Sequence, residues 1–249
     1  MAQASNLRQI VSDKKAMNKL LKFSILVNVI FTAIVLFLFM KIGSPRYLFY
    51  LIKNRGQGIV SLKNHRTSHL NTLKISDNQI VMLGNSITAE CEWAELLQNK
   101  SIVNRGIIGD GTFDILDRLT PIIQAKPRKI FLLIGVNDLL FHPLSTIGKN
   151  YEKIVKRIKT QTPETALYLE SVLPIHNDLR RNGLKNADID ALNGQIFELS
   201  KKYNATYIDL ASKLKNTEGG LQEDLSLDGI HLNGKGYMIL GENLRKYMD

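Results

Sequence analysis

From about residue 78 onward, short apolar runs alternate with longer amphipathic stretches. Runs at 79–83, 101–104, 129–134, 166–171 and 206–210 read as strands, and stretches at about 88–98, 112–124, 146–161, 187–203 and 234–247 read as helices. Unbroken apolar strands such as IFLLI, residues 130–134, are what a sheet buried on both faces requires. Regular alternation of strand and helix predicts an α/β domain over 78–249, with a parallel sheet of five strands layered between helices. Ligands of such sheets bind beyond the carboxyl ends of the strands, so the residues that follow each strand are where chemistry is to be sought.

The pattern before residue 78 is different. Residues 23–40, FSILVNVIFTAIVLFLFM, carry no charge and lie between Lys22 and Lys41. As a helix they extend about 27 Å, close to the hydrocarbon thickness of a bilayer. A cleaved signal peptide would have a shorter apolar run and a small-x-small site after it. Here the run ends Met40-Lys41-Ile42-Gly43, which favours an uncleaved anchor. The expected organisation is a basic tail over 1–22, a single transmembrane anchor over 23–40, a basic juxtamembrane linker over 41–77 and then the α/β domain. Residues 47–52, YLFYLI, read either as an interfacial collar or as an ordinary packed segment.

Charge sharpens this division. Residues 1–74 hold 12 Lys/Arg against the single acid Asp13, whereas residues 75–249 hold 21 Lys/Arg against 22 Asp/Glu, which together account for the net +10. The globular part is therefore neutral and lacks the footprint of a nucleic-acid binder. The basic segment suits anionic headgroups instead. Arg8, Lys14, Lys15, Lys19 and Lys22 precede the apolar run, and Lys41, Arg46, Lys53 and Arg55 follow it. That slight excess predicts a cytoplasmic N-terminus and an extracytoplasmic domain. Cys91 is the only cysteine, which excludes an intramolecular disulfide and a cysteine metal cluster, and it reads as a small apolar residue.

Four strand ends carry candidate chemistry. GNSIT (84–88) follows the first strand; Ser86 there is either a helix cap or a nucleophile whose own N–H faces an oxyanion. NRGIIGDGT (104–112) follows the second and has three glycines; it is either a plain loop capped by Asp110 or Thr112, or a loop that aims the Gly109 N–H at a reacting oxygen. IGVND (134–138) ends the third and offers the Asn137 amide as a neutral donor, unless Asn137 only forms an Asx-turn; Asp138 reads as a loop-orienting residue. DGIHLNGKGY (228–237) pairs Asp228 with His231 at a spacing that lets the carboxylate reach the ring and fix its tautomer. His176, with Asp178 nearby, is the fallback base.

These blocks, in this order, resemble the SGNH (GDSL-like) hydrolases, in particular the branch similar to platelet-activating-factor acetylhydrolase catalytic subunits and bacterial lysophospholipase-like esterases. The match covers about residues 78–247, and ESVLPIHND (170–178) resembles the family's fourth-strand segment. The resemblance implies the flavodoxin-like three-layer fold of that family and a serine esterase with a triad of Ser86, His231 and Asp228. It implies an oxyanion hole from the backbone of Ser86 and Gly109 with the Asn137 side chain, and no metal or organic cofactor. One departure is Asn85, where the first block commonly has Asp. The partners expected are a carboxylic ester, on a lipid or an acetylated envelope glycan, and the membrane itself; an O-acyltransferase using the same triad and a silent membrane-bound scaffold are the alternatives.

Overall fold

In the computed structural model the described residues are 2–42, 57–176 and 183–249. The 47–52 segment and the Asp178 partner expected for His176 lie outside them. The chain divides into two units, Met1–Gly58 and Ile59–Asp249. The first contains helix α1 (Ala2–Ile42). Its stretch Met17–Phe37 is 21 residues with a mean hydropathy of 2.4, long and apolar enough to cross a membrane, a property that signal sequences share. Asn28, in the middle of this stretch, is satisfied within the helix, since its Nδ2 donates to the Ser24 carbonyl at 2.9 Å.

The second unit is built on strands β1 (Ile80–Gly84), β2 (Ile102–Gly106), β3 (Lys129–Leu133), β4 (Ala166–Glu170) and β5 (Thr206–Ile208). All pair in parallel, in the order β2-β1-β3-β4-β5. Alternate side chains feed two cores. Val81, Leu83, Ile130, Leu132, Leu167 and Leu169 pack with α5 (Thr112–Ala125), α6 (Leu144–Gln161) and α7 (Asn186–Lys202). Ile80, Met82, Phe131 and Leu133 pack on the other face with Trp93, Leu214, Leu240 and Leu244. The central strands β1 and β3 are thus dry on both faces, which is why they read as nearly continuous apolar runs. The direction in which successive strands are added reverses between β1 and β3, and that is the crevice where such sheets bind ligands.

Two expectations are revised. The helix expected over 88–98 is two short ones, α3 (Ser86–Ala89) and α4 (Trp93–Leu96). Asn104 Nδ2 donates to the carbonyls of Thr88 (2.8 Å) and Cys91 (3.0 Å), and the Trp93 indole donates to Thr88 O at 2.8 Å, so carbonyls that a continuing helix would use are already taken. Cys91 is buried, and burial with nearby Glu92 and Glu170 pushes its thiol up to about 12. Residues 57–72, expected within a linker, form helix α2 (Gln57–Thr72), and the compact unit already begins at Ile59. Leu70 of α2 is buried, Lys63 reaches the loop after β2, and Arg66 reaches the Gly106 carbonyl at the end of β2.

Candidate active site

Ser86 opens α3 directly beyond β1. Asn85 caps that helix, its Oδ1 accepting the Ile87 N–H at 3.1 Å. Asn in place of the more usual Asp therefore keeps the acceptor that this turn uses. The turn is tied down from several sides. The Tyr237 hydroxyl donates to Ile87 O at 2.9 Å, and Arg118 Nη2 donates to Gly84 O at 3.0 Å. Beneath it, a side chain at Gly106 would overlap the backbone of Ala89, so glycine there lets α3 lie directly on β2. As the first residue of a helix, Ser86 has an N–H with no intrahelical acceptor.

Asp228 and His231 approach from the loop before α9 (Gly234–Leu244). Asp228 Oδ1 accepts the N–H groups of Ile230 (2.9 Å) and His231 (2.8 Å), while Oδ2 lies 2.6 Å from His231 Nδ1. His231 Nε2 lies 2.9 Å from Ser86 Oγ. With Nδ1–H donated to the carboxylate, Nε2 is left as an acceptor for the serine hydroxyl. Burial works against the Asp228 charge, but the bonds from His231 and the Ile230 and His231 N–H groups outweigh it and hold the carboxyl at about 2. The His176 backbone N–H donates to Gly229 O at 2.8 Å, bracing this loop against the segment after β4.

The other two strand ends are joined to each other. Gly109 lies in the loop after β2 with φ of +81°, a left-handed conformation that favours glycine. Asn137 follows β3 and donates from Nδ2 to the Asp110 carbonyl at 2.8 Å. Its neighbour Asp138 is buried and takes the Thr112 N–H at 2.9 Å and hydroxyl at 2.6 Å, so it orients this loop across the start of α5. Burial pushes the Asp138 carboxyl up, with the Thr112 donors opposing. A cavity of about 270 Å³ borders Gly109 and Asn137 and is walled by Phe113, Phe141 and His142.

Asp110, next to Gly109 in the loop after β2, has a completely buried side chain. Arg118 Nε meets its Oδ2 at 2.7 Å and Lys63 Nζ its Oδ1 at 3.1 Å. Burial raises the Asp110 pKa and lowers that of Arg118, in each case against the pull of the other's charge. Lys63 also meets Asp114 Oδ1 at 2.5 Å, and Asp114 Oδ2 accepts the Gly111 N–H at 2.9 Å. Burial lowers the Lys63 ammonium, but Asp114 and Asp110 outweigh that and raise it. Sequence reasoning missed Lys63 and Arg118, because contacts across 47 and eight positions leave no local pattern.

Ser86, His231 and Asp228 thus form one hydrogen-bonded line, and Gly109 and Asn137 share one cavity at the ends of the strands flanking β1. Among the described residues no cluster of His, Cys, Asp or Glu has the makings of a metal site.

Residues 82–239 match the GDSL-like Lipase/Acylhydrolase family. Platelet-activating factor acetylhydrolase IB subunit alpha1 from Homo sapiens is 25% identical over 173 residues, 66% of this chain and 72% of that protein. Among solved structures, a Streptococcus pneumonia protein described as a platelet activating factor superposes with a TM-score of 0.70 at 28% identity, over 83% of this chain and 100% of that one. Axe2, an acetylxylan esterase from Geobacillus stearothermophilus, has the same fold, with a TM-score of 0.58 at 20% identity over 71% of this chain and 96% of that one.

Proposed function

The chain belongs to the GDSL-like lipase/acylhydrolase family and is an ester-hydrolysing serine hydrolase, and from that premise we propose that Ser86 is its nucleophile, His231 its general base and acid, and Asp228 the carboxylate that orients the base. The observation that carries this reading is the unbroken line from Asp228 Oδ2 through His231 to Ser86 Oγ, at 2.6 and 2.9 Å. His231 Nε2 takes the hydroxyl proton as Oγ attacks the ester carbonyl. The Ser86 and Gly109 N–H groups and the Asn137 amide receive the oxyanion. One Asn137 N–H is used on the Asp110 carbonyl, which leaves the second to donate. Each such donor contributes about 2.7–4 kcal/mol to the transition state. His231 then hands its proton to the leaving alcohol, and water admitted on the same side releases the acid.

The acyl group is assigned to the cavity beside Gly109 and Asn137. Its walls include Phe113 and Phe141, both exposed, and exposed aromatic carbon beside the proposed oxyanion donors Gly109 and Asn137 favours an apolar acyl chain over a bare acetyl group. A lipid ester is the substrate class this supports. Residues 17–37 of α1, about 31 Å long at helical rise, anchor the chain in the bilayer in this reading, with the hydrolase unit outside the cytoplasm.

The test is direct. Ser86→Ala abolishes labelling by a serine-directed phosphonate and lowers turnover by at least about 10³ on every ester that the wild type hydrolyses. Short-chain, long-chain and glycan-acetyl esters form the panel, and preference for longer chains is expected. Wild-type turnover in Ser86→Ala would remove the nucleophile assignment. Preference for glycan acetates would remove the acyl assignment alone.

A further inference from the structure

We propose that Lys63, on the helix that precedes the hydrolase fold, is a positioning residue for the oxyanion hole, so that α2 is part of the active site rather than a spacer. The inference rests on the oxyanion roles proposed above for Gly109 and Asn137.

Gly109 is exposed and has no side chain to anchor it, so the direction of its N–H is set by its neighbours in the loop. Asp110 is the next residue; its N–H donates to Ile107 O at 3.2 Å, and it is held at three further points. Its carbonyl accepts the Asn137 amide, its Oδ2 is bound by Arg118, and its Oδ1 faces Lys63. A single residue therefore sets the loop carrying Gly109 and the orientation of Asn137. Through Arg118, which also binds Gly84 O, it touches the turn that carries Ser86.

Lys63 is the weak link in this arrangement. Asp110 Oδ1 is buried and has no well-aligned hydrogen bond, so the Lys63 ammonium at 3.1 Å is the charge that answers it. The same ammonium bridges to Asp114, which caps the loop's far end at Gly111. Removing it leaves a carboxylate oxygen desolvated and unanswered, a state that a protein relieves by moving the group toward water. Movement of Asp110 turns the Gly109 N–H and releases Asn137, and displacements well under 1 Å at an oxyanion donor already slow the chemical step. Ground-state binding of the ester does not depend on these donors to the same degree, so the loss falls on kcat.

The experiment uses the full chain and a p-nitrophenyl ester, with Lys63→Met, Lys63→Arg, Asn137→Ala and the double variant Lys63→Met/Asn137→Ala. Lys63→Met is expected to lower kcat roughly tenfold with KM within about twofold of wild type. Lys63→Arg is expected to recover most of that loss. In the Asn137→Ala background the same change is expected to cost clearly less than in the wild type, because only the Gly109 N–H is then left to displace. Unchanged kcat in Lys63→Met, even with a lowered unfolding midpoint, would leave Lys63 a purely structural residue and overturn the proposal. So would losses that multiply in the double variant. If Lys63→Met does not fold, Lys63→Gln, which keeps a polar head, is judged by the same criteria. Ser86→Ala is run alongside. An inactive Ser86→Ala with an unaffected Lys63→Met sinks only the role of Lys63, whereas an active Ser86→Ala sinks the hydrolytic mechanism itself.

Discussion

Asp228 and His231 sit three residues apart in one turn, with side chains 53% and 37% exposed, whereas Gly109 and Asn137 come from loops after two different strands and lean on carboxylates that solvent does not reach. In the first arm, local bonds overcome burial and hold Asp228 at about 2. In the second, burial dominates, raising Asp110 and Asp138 and lowering Arg118 despite their partners. The arm proposed for acid–base chemistry is thus stabilised by its own hydrogen bonds. The arm proposed for the oxyanion fixes geometry at a desolvation cost that the surrounding core must offset, as buried ion pairs commonly do. A proton-transfer pair needs one distance and one tautomer, which a short turn supplies. A hole for a developing charge needs donors held from several directions, and the chain reaches that only by crossing loops.

The largest effect expected from breaking this comparison is Asp228→Asn. The amide oxygen can still accept the N–H groups of Ile230 and His231, so the turn keeps its shape. The amide NH₂ then faces His231 Nδ1 and forces the proton onto Nε2, the wrong tautomer for deprotonating Ser86. A fall in kcat of roughly 10³–10⁴ is expected, with the far-ultraviolet circular dichroism unchanged. A loss below about tenfold would show that the His231 tautomer does not limit the reaction.

A smaller effect is expected in the other arm. Asn137→Ala should lower kcat by about 10²–10³ with KM little changed, because the donated bond strengthens only as charge develops. Asn137→Asp should be as damaging or worse, since it puts a carboxylate where the oxyanion forms and cannot donate to the Asp110 carbonyl. Equal turnover for Asn137→Asp and wild type would remove Asn137 from the hole.

The same contrast governs what the sequence made legible. Strand positions are readable to within one or two residues, because strands dry on both faces leave unbroken apolar runs such as 130–134. The meeting of Asp228 with His231 is readable because it is local, and that of Ser86 with both because each follows a strand or precedes a helix at the same sheet edge. The split between α3 and α4 is not readable, since it depends on Asn104 and Trp93 taking carbonyls of Thr88 and Cys91. The attachment of α2 is not readable either. Its sequence, QGIVSLKNHRTSHLNT, has no pronounced apolar face, and what holds it includes a lysine 47 positions before its acid.

The smallest effect expected concerns acid stability, and it separates charge from packing in the first arm. The folded pKa of Asp228 lies below its ordinary value of 3.8, at about 2. Its stabilising contribution is therefore fully present above about pH 4 and is lost as pH falls toward about 2. Because the side chain is half exposed, solvent screening reduces that contribution to no more than about 1 kcal/mol. Asp110 and Asp138 have the opposite sign. Their raised pKa values mean that the fold disfavours their ionised forms, so the stability tied to them falls as pH rises through the carboxylate range. Urea unfolding of wild type and Asp228→Asn at neutral pH and near pH 2 isolates the first arm, since the second is common to both chains. The wild type should be slightly the more stable at neutral pH, and most of that difference should be gone near pH 2. A difference that persisted in full near pH 2 would trace to packing around Asp228 rather than its charge, and the acid–base arm would then be held in the same manner as the oxyanion arm.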